Sequence, residues 1–205
     1  MGYRSNKNAA IDELTLNKPI SNLDNNGHNP KPLAILIQPN IGLEEDIRLP
    51  VVEILNRSLA NESILSQKTR SALWNSSGSR FFELHIFFET QYKQLDEISD
   101  KIAERTRMLG GVALSSFTQF LAHSQLEEES ANVPDILHLL ADHESIIRFL
   151  RGDIRQVSEE YEDEGTVELL VGVMSLHEKM TWMLRSYIEN EPVNGGSQKR
   201  NQIDE

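Results

Sequence analysis

The chain has 205 residues, a formal net charge of −12 and no cysteine, with a pI near 5.0. That length suits one substantial core plus tails, and the missing cysteine excludes disulfide frameworks, thiol catalysis and zinc–thiolate sites. The acidic balance disfavours broad contact with phosphate backbones and favours cations, and no apolar run reaches the roughly 18 residues of a membrane span.

Residues 1–40 are polar, rich in Asn and punctuated by Pro19, Pro30, Pro32 and Pro39, which predicts a mobile tail. Within it "LAILIQ" at 33–38 could dock as a short strand or wrap a neighbouring surface. The start "MGYRSN" has Asn6 where a myristoylation motif needs Ser or Thr, and it lacks a basic-then-apolar leader, so a cytoplasmic protein is expected.

From Leu43 a helical period sets in, with Val52, Leu55, Leu59, Ile64 and Leu73 as its apolar positions. "SSGS" at 76–79 breaks it. A second helix is expected from Phe81 to Leu109, stopped by Gly110–Gly111. "LSSFTQFLAH" reads as a short extra helix. Pro134 is placed to open a third long helix carrying Ile136, Leu139, Leu140, Ile146, Ile147, Leu150 and Ile154. "EEYEDEG" at 159–165 ends that helix. A fourth runs from Thr166 to Ile188, and 191–205 form a polar tail. The expectation is an all-α four-helix bundle over 41–190, with a short helix between the second and third long ones.

The second helix carries the chemistry. His85 and Glu89 stand at i and i+4, as do Asp100 and Glu104, so each pair shares a face. At about 1.5 Å per residue, Glu89 and Asp100 lie roughly 16 Å apart along the axis. No single ion with bonds near about 2 Å spans that gap. Either the pairs are unrelated solvated charges, or a second copy in an antiparallel twofold dimer supplies the missing half of each site. Without cysteine, such a site uses His, Asp and Glu, which suits iron, manganese or zinc.

"SRFFELHIFFETQYKQLDEISDKIAERTRMLGG" at 79–111 resembles the second helix of the Dps family, the miniferritins of the ferritin-like superfamily. "IGLEEDIRLPVVEILNRSLANE" resembles the family's first helix, and "DEGTVELL" and "HEKMTWMLRSYI" its last. The resemblance implies a ferritin-like bundle assembled as a dodecameric homo-oligomer built from twofold dimers. It implies ferroxidase centres shared between two subunits, with His85 and Glu89 from one chain and Asp100 and Glu104 from the other. The reaction implied is oxidation of Fe(II), with hydrogen peroxide or oxygen as acceptor, and storage of ferric mineral inside the shell. Zinc or manganese would compete for such a site. The family's first helix also places a His directly before its Trp; here "ALWN" has Leu73 there, so a nitrogen ligand is missing.

His177 and His143 are the candidates to compensate, each weighed against an ordinary hydrogen-bonded histidine. In "EDEGTVELL", Asp163 and Glu168 are candidates for a cation entry pore, weighed against acids that stabilise a helix N-terminus. Some family members bind DNA through basic tails. Residues 1–40 carry Arg4, Lys7, Lys18 and Lys31 against Asp12, Glu13 and Asp24, a net of +1, so DNA binding is expected to be weak or absent. The alternative reading is a shell-forming Dps-like protein with little or no ferroxidase activity, acting in iron sequestration or as a structural or DNA-associated stress protein.

Overall fold

The computed structural model describes residues 38–128 and 132–189. Contacts divide the chain into residues 1–36 and 37–205, and every described residue belongs to the second unit. The expectations for most of the N-terminal tail, including nearly all of "LAILIQ", and for 191–205 fall outside the described residues.

Five helices follow in order: α1 (Glu45–Asn75), α2 (Phe81–Met108), α3 (Phe117–His123), α4 (Ile136–Glu160) and α5 (Glu164–Glu189). No strand occurs among the described residues. Each long helix buries a stripe with alternating steps of three and four residues, and α1, packed on several neighbours, also buries Val51, Ile54 and Leu65 beside it. On α1 it is Val52, Leu55, Leu59, Glu62, Ser66, Thr69 and Leu73, and on α2 Phe88, Gln91, Leu95, Ile98 and Ile102. On α4 it is Leu139, His143, Ile146, Leu150, Asp153 and Val157, and on α5 Thr166, Leu170, Val173, His177, Met180 and Leu184. That spacing keeps a stripe on one side of a helix, and each fully buried Leu or Ile adds about 1.5–3 kcal/mol.

Helix pairing follows from side-chain contacts. Ser66 and Arg70 of α1 both reach Asp96 of α2, and Asn56 meets Val112 beyond the other end of α2, so the two run antiparallel. Arg57 pairs with Asp153 and Lys68 with Asp142, so α4 is also antiparallel to α1. Hence α2 and α4 point the same way, and the chain must travel the length of the bundle between them. Residues 109–128, with α3, run along α1 from Asn56 to Lys68 and make that crossover, as in bundles with one long connection. Buried Asn56 and Asn61 of α1 hold it: Asn56 accepts from the Leu114 N–H at 3.1 Å, and Asn61 from the Gln125 N–H at 2.7 Å. At the far corner Phe87 of α2 stacks on Tyr187 of α5, with the Arg80 guanidinium over the same tyrosine ring.

The ends of the helices refine the sequence reading. Asp135 caps α4 by accepting from the His138 N–H at 2.9 Å, so Pro134 precedes the cap instead of opening the first turn. The fourth long helix starts at Glu164, two residues before Thr166, because Asp163 caps it. Gly110 and Gly111 end α2 for two different reasons. Gly110 takes φ +84°, and a Cβ on Gly111 would lie 2.5 Å from a methyl of Val52. Gly111→Ala is therefore expected to destabilise the bundle by about 1–3 kcal/mol through overpacking, read from thermal unfolding at fixed subunit concentration; an unchanged melting temperature would contradict this contact.

Candidate functional site

His85, Glu89, Asp100 and Glu104 all project from α2 away from its buried stripe. At about 100° per residue they fall within an arc of about 100°. Asp100 and Glu104 are exposed, while His85 and Glu89 are half-buried. His85 Nδ1 is shielded from solvent and has no hydrogen-bond partner within the chain. Glu89 accepts from Lys93 at 2.7 Å. That hydrogen bond, and then the charge of the ammonium, hold its carboxyl below the ordinary value. Glu89 is thus ionised at neutral pH, as a metal-binding carboxylate must be.

The outward side of α2 carries charges such as Lys93, Glu97 and Arg107 toward its middle and end, and apolar side chains near its start. Phe82 is 74% exposed and Trp74 67%, and Phe81, Ile86, Phe117 and Leu121 are exposed as well. So many large apolar side chains left exposed are unusual on a chain that stays alone in water. Among the described residues, no three histidine or acidic side chains gather closely enough within one chain to hold a metal ion.

Leu73 is 5% exposed and closes the core stripe of α1. Its side chain is committed to the interior, and nothing at that position supplies a nitrogen to the α2 face.

His143 and His177 are brought together, but in the bundle interior. Both are fully buried; their Nδ1 atoms lie 2.8 Å apart, and His177 Nε2 meets Glu62 Oε1 at 2.9 Å. Glu62 is fully buried too, and its Oε2, like His143 Nε2, has no partner. Burial, then the charge of His177, hold the His143 ring well below its ordinary value of 6.5. These histidines serve an internal network and do not stand in for the ligand missing at Leu73. Glu62 carries no signal in an apolar count. It is detectable only as an acid at a stripe position, three residues after Leu59 and four before Ser66.

Asp163 is 2% exposed. It accepts from Arg105 Nη2 at 2.6 Å, from the Thr166 N–H at 3.0 Å and from the Thr166 hydroxyl at 2.6 Å. This carboxylate is taken up in locking α5 to α2, so it offers nothing to a passing cation. Glu164 and Glu168 remain exposed beside it.

Residues 52–192 match the ferritin-like domain family. The chain is 40% identical over 158 residues to a low temperature-induced protein of Nostoc sp., covering 75% of this chain and 88% of the relative. It is 35% identical over 148 residues to the DNA protection during starvation protein of Porphyromonas gingivalis, covering 71% and 93%. Among solved structures, the Dps protein of Vibrio cholerae, described as one of the ferritin-like diiron-carboxylate proteins, superposes with a TM-score of 0.69 at 29% identity. That match covers 75% of this chain and 98% of the other. A long-crossover four-helix bundle, matched over most of its length by Dps proteins in sequence and in structure, places this chain in the Dps family, the miniferritins of the ferritin-like superfamily.

Proposed function

We propose that the protein is an iron-storage miniferritin that oxidises Fe(II) at sites shared between two subunits. The observation that carries this reading is the arrangement on α2. Two ligand pairs sit on one outward face, roughly 16 Å apart along the helix, and Phe81, Phe82 and Ile86 beside the first pair are left exposed by the described chain. An antiparallel twofold partner covers that face and sets His85 and Glu89 of one chain against Asp100 and Glu104 of the other, twice per dimer. Further copies extend the dimer to a closed dodecameric shell that works in the cytoplasm and holds the ferric product.

Iron is the substrate here. The carboxylates of Glu89, Asp100 and Glu104 suit ferric iron, and the His85 imidazole helps to retain ferrous iron before oxidation. Lys93, the partner of Glu89 in the single chain, is displaced as the cation binds. Hydrogen peroxide or oxygen accepts the electrons, and zinc or manganese competes for the same ligands. With Leu73 in the core, each centre has one nitrogen ligand instead of two, which supports a slower centre than one with both. The same feature favours the alternative of a shell that sequesters iron with little oxidation. Glu168, with Glu164, is the acid proposed to draw cations to an entrance near the start of α5.

The test is to load the protein with Fe(II) without oxygen, add hydrogen peroxide and follow ferric absorbance in the parent and in His85→Ala. The variant is expected to oxidise iron at least about tenfold more slowly. Equal rates would remove His85 from the site and with it this reading. A slow parent that His85→Ala leaves unchanged, within an intact shell, is the outcome the sequestration alternative predicts.

A further inference from the structure

The chain Glu62–His177–His143 joins α1, α5 and α4 through the centre of the bundle, and the iron chemistry does not use it. His177 is the middle link and both its ring nitrogens are engaged, Nε2 on Glu62 at 2.9 Å and Nδ1 on His143 Nδ1 at 2.8 Å. A nitrogen-to-nitrogen contact of that length is a hydrogen bond only if one Nδ1 carries a proton and the other presents its lone pair. One extra proton, placed on His177, keeps both contacts as hydrogen bonds, with an N–H toward Glu62 and an N–H toward His143. A second extra proton sets two N–H groups head to head and leaves a net positive charge among groups with no access to water.

We propose that this chain is an acid-sensitive latch: it ties α1, α4 and α5 together while His143 is neutral and lets go when both imidazoles are protonated. The surroundings offer no other relief. The buried stripe of α2 presents Phe88, Gln91, Leu95, Ile98 and Ile102, none of them ionisable. On α1, Arg57 and Lys68 are spent on the α4 acids Asp153 and Asp142, each at 2.5 Å. On α5 the neighbouring buried residues are Val173, Met180 and Thr181. Asp153 shares a small cavity with Glu62, Ser58 and Asn61, but burial raises its carboxyl even against Arg57. Protonating it stabilises the folded state on acidification, the opposite sign to the latch.

The sign for His143 follows from its burial. The unfolded ring takes its proton near 6.5 and the folded ring only at lower pH. Below 6.5 the unfolded state binds more protons, so stability falls as pH drops, until the folded ring also protonates.

The test uses the full-length assembled protein. The parent's melting temperature is expected to fall between about pH 7 and about pH 5, and His143→Gln, which can still bond to His177 but cannot titrate, should lose about half or more of that fall. An undiminished fall in His143→Gln overturns the latch. If that variant does not fold, hydrogen exchange at the imidazole Cε1 position, read by mass spectrometry on the parent, decides alone. Its pH midpoint at His143 is expected clearly below the ordinary histidine value near 6.5, and a midpoint at that value overturns the proposal.

Discussion

Glu62→Ala is expected to cost about 3 kcal/mol of stability, the largest loss predicted for any single side chain here. The carboxylate accepts from His177 Nε2 at 2.9 Å with both residues fully buried. Removing it strands an imidazole N–H in the interior, at about 1–3 kcal/mol, and adds a cavity beside the small one that Glu62 already lines. Glu62→Gln keeps an acceptor for the same N–H and should lose distinctly less. Thermal unfolding at one fixed subunit concentration makes the comparison, since assembly and folding are linked in an oligomer. Equal melting temperatures for the parent and Glu62→Ala would mean that the carboxylate is not bonded as described.

Asp100→Ala carries the largest expected effect on activity. Asp100 is exposed in the isolated chain, and no hydrogen bond or ion pair holds it among the described contacts, so its removal should leave the fold and its melting temperature unchanged. In the assembly proposed here it ligates iron opposite the partner's His85, and its loss should slow peroxide-driven oxidation at least about tenfold. The contrast between unchanged stability and lost turnover separates a ligand from a structural acid. A solvated surface charge would show neither effect.

Much of this architecture was legible in the sequence, for a physical reason. Steps of three and four between apolar residues draw a helix and its buried side together, so all four long helices appear within a few residues of their observed ends. The crossover was legible only as a short helix between two long ones. Its course depends on Asn56 and Asn61, whose amides bond to the backbone of residues 112–125, and asparagines on an amphipathic helix read as solvent-facing.

The interior network was hidden for a related reason. Glu62, His143 and His177 each sit at a stripe position, yet polar residues count against burial until their partners are known. His143 and His177 are 34 residues apart and Glu62 is 115 from His177, so no local pattern links them. Asp163 illustrates the reverse case. An acid before a helix reads equally well as a pore ligand or a cap, and Arg105 with Thr166 decides for the cap. Leu73 changes meaning too. As a sequence feature it is a missing ligand, and in the fold it is the last apolar residue of the α1 core stripe.

If every iron site draws its ligands from two chains, mixing of two defective subunits must restore activity. His85→Ala and Asp100→Ala are each purified, unfolded, mixed in equal amounts and reassembled, and peroxide-driven Fe(II) oxidation is compared with that of each variant reassembled alone. In a mixed dimer, one site combines both defects and the other has a complete set of ligands. Random pairing therefore restores about one quarter of the parent's sites. Recovery near that fraction is the predicted result. Mixed shells no more active than either variant alone would show that His85 and Asp100 do not meet across a subunit boundary, and would contradict the account.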